Sequence, residues 1–163
     1  MKLITKQCII RPFEDDDFNY AKSWLQDSAV MKYIEPVMDD ETIKSFLNAY
    51  CLIENPPLFA IEDRTCEEAI GHVIFHQLEP EDVGDALKTY EMGWILRQTY
   101  QQKGIGKEVS EALIEYAFRQ LEVKRIVAYT IPHNAPSIHL LTDLGFTLKT
   151  QDTELLEFEM VYH

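Results

Sequence analysis

Hydrophobic residues recur at helical spacing in one long segment of the chain. This apolar stripe consists of Ile105, Val109, Leu113, Ile114, Ala117, Phe118 and Leu121. Its spacing predicts an amphipathic helix with one buried face. Residues 90–96, just upstream, are rich in aromatic and branched side chains, a composition typical of a buried strand. The sequence therefore predicts a strand, a short turn and a long helix at the centre of the chain.

Apolar periodicity also assigns elements on either side of this unit. The N-terminal part predicts a strand, two helices that begin at acidic residues, and a hairpin. The C-terminal part predicts a strand, a short helix and two final strands. The predicted strands lie at residues 6–11, 58–62, 69–77, 90–96, 125–131, 146–150 and 155–162. This alternation predicts an α/β fold with a mixed, mainly antiparallel sheet.

The turn before the long helix contains two glycines, in the sequence QQKGIG at residues 101–106. Glycine lets the backbone approach a ligand closely, and the first amides of a helix are unpaired at the positive end of its dipole, so the turn suits a phosphate. An ordinary helix start explains the glycines equally well. Two other phosphate-binding motifs are excluded. A Walker loop would have Ser or Thr at the position of Glu108, and a dinucleotide fingerprint would have its third Gly at the position of Val109.

A second motif follows the strand at residues 125–131. Its sequence, NAPSIHLLTDLGF, spans residues 134–146. Together with Q-x-x-G-x-G at residues 101–106, it resembles the GNAT superfamily of N-acetyltransferases. Ser137 and the Gly93–Trp94 pair are most similar to the branch that contains the ribosomal-protein N-terminal acetyltransferases. The match covers residues 91–150, and the first 85 residues fit the family only in general plan.

This resemblance implies a GNAT-like fold, in which a central sheet of about seven strands is flanked by helices. At 163 residues the chain is expected to form a single domain, residues 1–163. The resemblance also implies that acetyl-CoA is the co-substrate. The turn would bind its pyrophosphate, and the strand would bind its pantetheine arm. Lys103 and Lys107 either add positive charge at the pyrophosphate or are ordinary solvated lysines. The expected cofactor-binding residues are Trp94, Ile95, Leu96, Gln102, Lys103, Gly104, Ile105, Gly106, Lys107, Asn134 and Ser137.

Acetyl transfer to an amine requires a base, because an alkyl ammonium has a pKa of about 10.4 and must lose a proton before it attacks. Glu91 is the first candidate, since relatives carry a glutamate on this strand; an ordinary strand glutamate is the alternative. Glu157 and Glu159 are second choices. Ser137 is the candidate partner of the leaving thiolate, or else a helix-capping serine. Leu141 stands where many relatives carry a tyrosine acid, which leaves the general acid open.

Composition narrows the class of partner. The net charge of −13 argues against nucleic-acid binding. Residues 1–90 carry 18 acids and 8 bases, whereas residues 91–163 carry 10 acids and 7 bases. The acidic excess of residues 1–90 either attracts a cationic amine to the acceptor side or serves only to keep the protein soluble. No apolar run or signal segment indicates a membrane, and a cytoplasmic monomer or homodimer is expected. Three scattered cysteines predict neither a disulfide nor a metal site.

The leading hypothesis is an acetyl-CoA-dependent N-acetyltransferase that acts on a peptide N-terminus or a small molecule by direct attack in a ternary complex. Residues Tyr33, Ile34 and Glu35, between the first two predicted helices, are candidates for acceptor contact. Two alternatives stay open at this point. One is a catalytically weak GNAT-like sensor that binds CoA, and the other is an acyltransferase with a different acyl donor.

Overall fold

The structure is a computed structural model that describes all 163 residues. It confirms an α/β fold with a mixed sheet flanked by helices, and the sheet has the strand order β1-β2-β3-β4-β5-β6-β8-β7. The strands are β1 Leu3–Ile4, β2 Cys8–Arg11, β3 Leu58–Asp63, β4 Ala69–Leu78, β5 Thr89–Leu96, β6 Arg125–Thr130, β7 Thr147–Gln151 and β8 Leu156–Val161. The helices are α1 Asp17–Leu25, α2 Ser28–Met31, α3 Asp40–Tyr50, α4 Pro80–Val83, α5 Ile105–Arg119 and α6 Ala135–Leu144.

The chain divides into two compact units. The first contains Met1–Ile74 and Trp94–Val109, and the second contains Phe75–Gly93 and Ser110–His163. Strands β4 and β5 and helix α5 therefore each contribute residues to both units. The expectation that residues 1–163 form a single domain stays a prediction.

The first unit consists of antiparallel strands with helices α1 and α3. Strand β2 pairs with β1 and β3, and β3 pairs with β4. The acidic starts of the helices have different structural causes. Asp39 caps α3 by accepting a hydrogen bond from the amide of Thr42 at 2.8 Å, whereas Asp17 is buried and forms two hydrogen bonds with the Arg11 guanidinium at 2.8 and 3.0 Å. The largest core side chains are Trp24, Leu25, Ile43, Ile10 and Ile61.

The second unit combines parallel and antiparallel pairing. Strand β5 runs parallel to β6, which pairs antiparallel with β8, and β8 pairs with β7. Ile126 and Val127 of β6 are fully buried, as is Leu113 of α5. Helix α6 is capped by Asn134 at its start and by Gly145 at its end, and the φ of 98° at Gly145 is the left-handed conformation that glycine adopts without strain.

The structure corrects some predicted boundaries. The segment predicted as one strand at residues 6–11 begins at Cys8, and Leu3–Ile4 adds the short strand β1, so the sheet has eight strands rather than about seven. Two one-turn helices, α2 and α4, were not predicted, because four residues are too few to show a helical period. None of the helices combines the length and the apolar composition that a membrane span requires.

Candidate active site

The backbone of residues 101–107 forms an open turn at the start of α5. Gln102 and Gly104 have φ angles of 60° and 78°, which curl the chain before the helix. The carbonyl of Gly104 accepts the first helical hydrogen bond, from the amide of Glu108 at 3.0 Å. The amides of Ile105, Gly106 and Lys107 therefore precede the first helical donor. Gly104 has no side chain to cap them, so the turn can present them to an anion.

Side chains hold the upstream part of this turn. The hydroxyl of Tyr100 donates to Asp63 Oδ2 at 2.7 Å, and this bond raises the pKa of Tyr100 and lowers that of Asp63. Gln101, the first residue of the Q-x-x-G-x-G motif, donates through Nε2 to the Leu96 carbonyl at 3.0 Å. The ammonium of Lys103 lies 5.5 Å from the Tyr100 ring centroid. The turn is therefore fixed to β3 and β5 before any ligand binds.

The first turn of α5 is fixed to the N-terminal segment by Glu108. Its carboxylate accepts hydrogen bonds from Thr5 Oγ1 at 2.6 Å, the Gln7 amide at 2.8 Å and Gln7 Nε2 at 3.0 Å. Burial alone would raise the pKa of Glu108, but these hydrogen bonds bring it below its ordinary value. The negative charge of Glu108 is thus stabilised by donors of the N-terminal segment, although it lies beside a turn whose amides suit an anion.

Strand β5 supplies the predicted pantetheine-binding residues. Its parallel pairing with β6 covers only Thr89, Tyr90 and Glu91, while β6 continues beside β8 to Thr130. The pairing of the two strands therefore ends at Glu91. Further along β5, Trp94 is half-buried, whereas Ile95 and Leu96 are buried.

Glu91 forms a pair with a histidine on the neighbouring strand. Its Oε2 lies 2.9 Å from Nε2 of His76, and the two side chains are 24% and 33% exposed. The hydrogen bond to Glu91 raises the pKa of His76. Glu91 is therefore a half-buried carboxylate with one titratable partner, which solvent or a substrate can reach.

The second-choice glutamates have other partners. Both Glu157 and Glu159 of β8 lie near the ammonium of Lys149, at 3.8 and 3.9 Å, and Glu157 also accepts from Thr150 Oγ1 at 2.8 Å. The pKa of Tyr129 is raised, first by burial and then by the negative charges of Glu157 and Glu91. This strand face is thus rich in acidic groups, and Glu91 is the one that pairs with an imidazole.

The second motif begins with a helix cap. Asn134 Oδ1 accepts the Ser137 amide at 3.3 Å, so the asparagine caps α6 and Ser137 occupies a position inside its first turn. The alternative that Ser137 itself caps the helix is therefore wrong. Both side chains are half-buried. Leu141, at the position of the usual tyrosine, is 1% exposed and belongs to the core.

The remaining candidates divide between core and surface. Burial raises the pKa values of Cys8 and Cys51 to about 12, so both stay thiols at neutral pH. His72 is buried and accepts a hydrogen bond from Trp24 Nε1 at 3.0 Å, so both residues belong to the core. Ile34 and Glu35 are exposed and Tyr33 is half-buried, so this segment is accessible to an acceptor.

Four residues that contribute to this arrangement were not assigned a role from sequence. Tyr100, Gln101 and Glu108 hold the glycine turn, and His76 holds Glu91. Gln101 lies within a motif, which is a signal that could have identified it. The partners of Glu108 are 101 and 103 residues away in sequence, so no local pattern could indicate them.

Comparison with known proteins identifies a family. The family model described as an acetyltransferase (GNAT) domain matches residues 7–147. An uncharacterized N-acetyltransferase, YnaD of Bacillus subtilis, is 35% identical over 146 residues, which cover 89% of this chain and 82% of the relative. The ribosomal protein uS5-alanine N-acetyltransferase of Escherichia coli is 26% identical over 90% of this chain and 78% of its own length.

Solved structures give the same result for the fold. A GNAT-family acetyltransferase from Bacillus anthracis superposes with a TM-score of 0.85 at 26% identity, covering 99% of this chain and 98% of the other. A spermidine N-acetyltransferase from Vibrio cholerae, solved with CoA and spermine, has a TM-score of 0.77 at 18% identity and covers 95% of each chain.

Proposed function

Because the chain belongs to the acetyltransferase (GNAT) family, we propose that it transfers an acetyl group from acetyl-CoA to a primary amine by direct attack in a ternary complex. The observation that carries this proposal is the glycine turn at the start of α5. Its leading amides lack helical partners, its cap position is a glycine, and its flanks are fixed by Tyr100 and Glu108. Such a turn is preorganised for a pyrophosphate, so little ordering is needed on binding.

Within this proposal each part of the cofactor has its own protein groups. The amides from Gln102 to Lys107 bind the pyrophosphate, and the side chains of Lys103 and Lys107 add positive charge. The backbone of Trp94, Ile95 and Leu96 binds the pantetheine arm. The Leu96 carbonyl already accepts from Gln101, which fixes its direction. Asn134 orders the loop before α6 through its cap, and Ser137 stabilises the departing thiolate.

Glu91 accepts the proton that the acceptor ammonium loses. A base at this point is needed because the neutral amine is rare at pH 7. Its half-buried position leaves it reachable, whereas Glu157 and Glu159 are shared with Lys149. With Leu141 in the core, a proton for the leaving thiolate comes from water or from Ser137.

The acceptor is proposed to be a peptide N-terminus or a small amine. The E. coli relative is named for the alanine of a ribosomal protein, and the V. cholerae structure contains spermine, so these two acceptor classes are the first to test. The acidic excess of residues 1–90 favours a cationic acceptor of either kind. A panel of N-terminal peptides, polyamines and amino sugars, assayed for thiol release from acetyl-CoA, identifies the class.

The kinetic test uses two variants. Glu91→Gln keeps the shape of the side chain but is not a base, so kcat should fall about 10²- to 10⁴-fold while acetyl-CoA affinity, measured by calorimetry, stays unchanged. Ser137→Ala should cost less, because water can replace a weak donor. Wild-type turnover in Glu91→Gln would show that Glu91 is not the base. A larger loss in Ser137→Ala than in Glu91→Gln would make Ser137 the principal group.

A further inference from the structure

Both ring nitrogens of His76 lie opposite oxygen acceptors. Nε2 is 2.9 Å from Glu91 Oε2, and Nδ1 is 3.2 Å from the carbonyl oxygen of Gln77. A neutral imidazole has one donor and one acceptor nitrogen, so it can satisfy only one of these oxygens and would turn a lone pair toward the other. Only the doubly protonated ring donates to both. The geometry therefore favours an imidazolium paired with the Glu91 carboxylate.

We propose that His76 and Glu91 act as one proton-accepting pair, in which His76 is a positioning residue that orients Glu91 and receives through it the proton of the acceptor ammonium. This inference rests on the proposed function of Glu91. When His76 carries its second proton, the pair is already filled and Glu91 is a weak base. When His76 has released that proton to water, the two facing acceptors compete for a new one. The ammonium then gives its proton to Glu91, and the proton moves on to Nε2.

The pH dependence of the reaction follows from this pair. Glu91 raises the pKa of His76 from its ordinary 6.5, while partial burial opposes the shift. Activity should therefore be lost as the pH falls through a value above 6.5. Other charged and titratable groups lie in the same compact unit as His76, and their electrostatic effects contribute to the midpoint that is measured. They are Asp82 of α4, Arg125 and Tyr129 of β6, Lys149 of β7 and Glu157 and Glu159 of β8.

A readout independent of turnover tests the pair first. The imidazole signals of His76, assigned by comparison with His76→Gln, are titrated by nitrogen NMR. We expect a midpoint above 6.5 in the wild type and a lower midpoint in Glu91→Gln, where the anionic partner is gone. A wild-type midpoint at or below 6.5, or one that Glu91→Gln leaves unchanged, would overturn the proposal. This titration gives its answer whether or not the chain is shown to acetylate an amine.

The kinetic test uses the ratio of kcat/KM between wild type and His76→Gln. The acceptor's own titration is common to both enzymes and cancels in this ratio. Glutamine can still donate to Glu91 but does not titrate, so the ratio should fall by up to about tenfold per pH unit below the His76 midpoint. A ratio independent of pH would contradict the proposal, because it would leave His76 a purely structural role.

His139 provides the matched control. It also pairs with a carboxylate, since its Nε2 lies 3.3 Å from Asp143 on the exposed surface of α6. His139→Gln should leave both the pH profile and the His76 titration unchanged. If His139→Gln moved the kinetic limb as His76→Gln does, the limb would belong to the general charge of the protein, and the proposed pair would be refuted.

Discussion

Replacing Gly71 with alanine should disturb the strand that carries the proposed pantetheine-binding residues. Gly71 lies on β4, where the backbone of β5 passes very close. A Cβ at this position would be 2.1 Å from the carbonyl oxygen of Ile95 and 3.0 Å from the Cα of Leu96. Real Cβ atoms essentially never come closer than 3.0 Å to another heavy atom, so the two backbones would have to separate by at least about 0.9 Å.

The cost is set by what must move. The contact atoms belong to the backbone and have no rotamer to change, and the amide of Arg97 holds the end of β5 to the Ile70 carbonyl at 2.7 Å. Overpacking of this kind costs about 1–3 kcal/mol. For a chain of this length about 1 kcal/mol corresponds to about 2–4 °C, so Tm should fall by several degrees. A displacement of this size beside a bound substrate can also cost up to about 10²-fold in kcat/KM.

Differential scanning fluorimetry and calorimetric titration with acetyl-CoA measure both effects. Gly84→Ala is the control, because Gly84 has open space around the added Cβ and only its φ of 78° disfavours alanine. We expect Gly71→Ala to weaken acetyl-CoA binding and Gly84→Ala to leave it unchanged. Wild-type Tm and wild-type acetyl-CoA affinity in Gly71→Ala would refute the close approach of β4 and β5.

Further predictions concern the turn, the core and the charge of the protein. Gly104→Glu should abolish acetyl-CoA binding in calorimetry, because it places bulk and negative charge at the helix start. Tyr100→Phe should raise the acetyl-CoA KM about 3- to 10-fold with kcat unchanged, since the lost bond to Asp63 contributes about 1 kcal/mol to holding the turn. Burial lowers the pKa of His72 to about 4, so the unfolded chain binds more protons between pH 4 and 6.5. Stability should therefore fall by about 3 kcal/mol as the pH is lowered from 6.5 to 4, and His72→Gln should flatten this fall in a pH series of denaturation curves. Added salt should lower kcat/KM for a cationic acceptor but not for a neutral one, because screening lengths shrink to about 10 Å at 0.1 M.

The elements that sequence predicted well are those whose cause is local. Helix α5 begins at Ile105, directly after Gly104, where the apolar stripe also starts, because helix periodicity and glycine turns depend on neighbouring residues. The strand carrying Glu91 was predicted at residues 90–96 and runs from Thr89 to Leu96 for the same reason. The family resemblance, which rests on two short motifs, is confirmed.

What sequence could not predict depends on contacts between distant residues. Strand β1 exists because Leu3 and Ile4 pair with Ile10 and Ile9, and two residues are too few to show a period. The residues around His76 give no sign of its partner, yet it pairs with Glu91 across adjacent strands. That pairing depends on strand register, which neither residue's neighbours reveal.

The mass balance of a single reaction mixture tests the central claim most directly. The wild-type protein is incubated with acetyl-CoA, with and without the best acceptor of the panel, and CoA, acetylated amine and intact protein are quantified by mass spectrometry. Direct transfer to an amine predicts equal amounts of CoA and acetylated amine, with almost no CoA released and no acetylated protein when the amine is omitted. CoA release that does not depend on an amine, or an acetylated protein that precedes the product, would contradict the account.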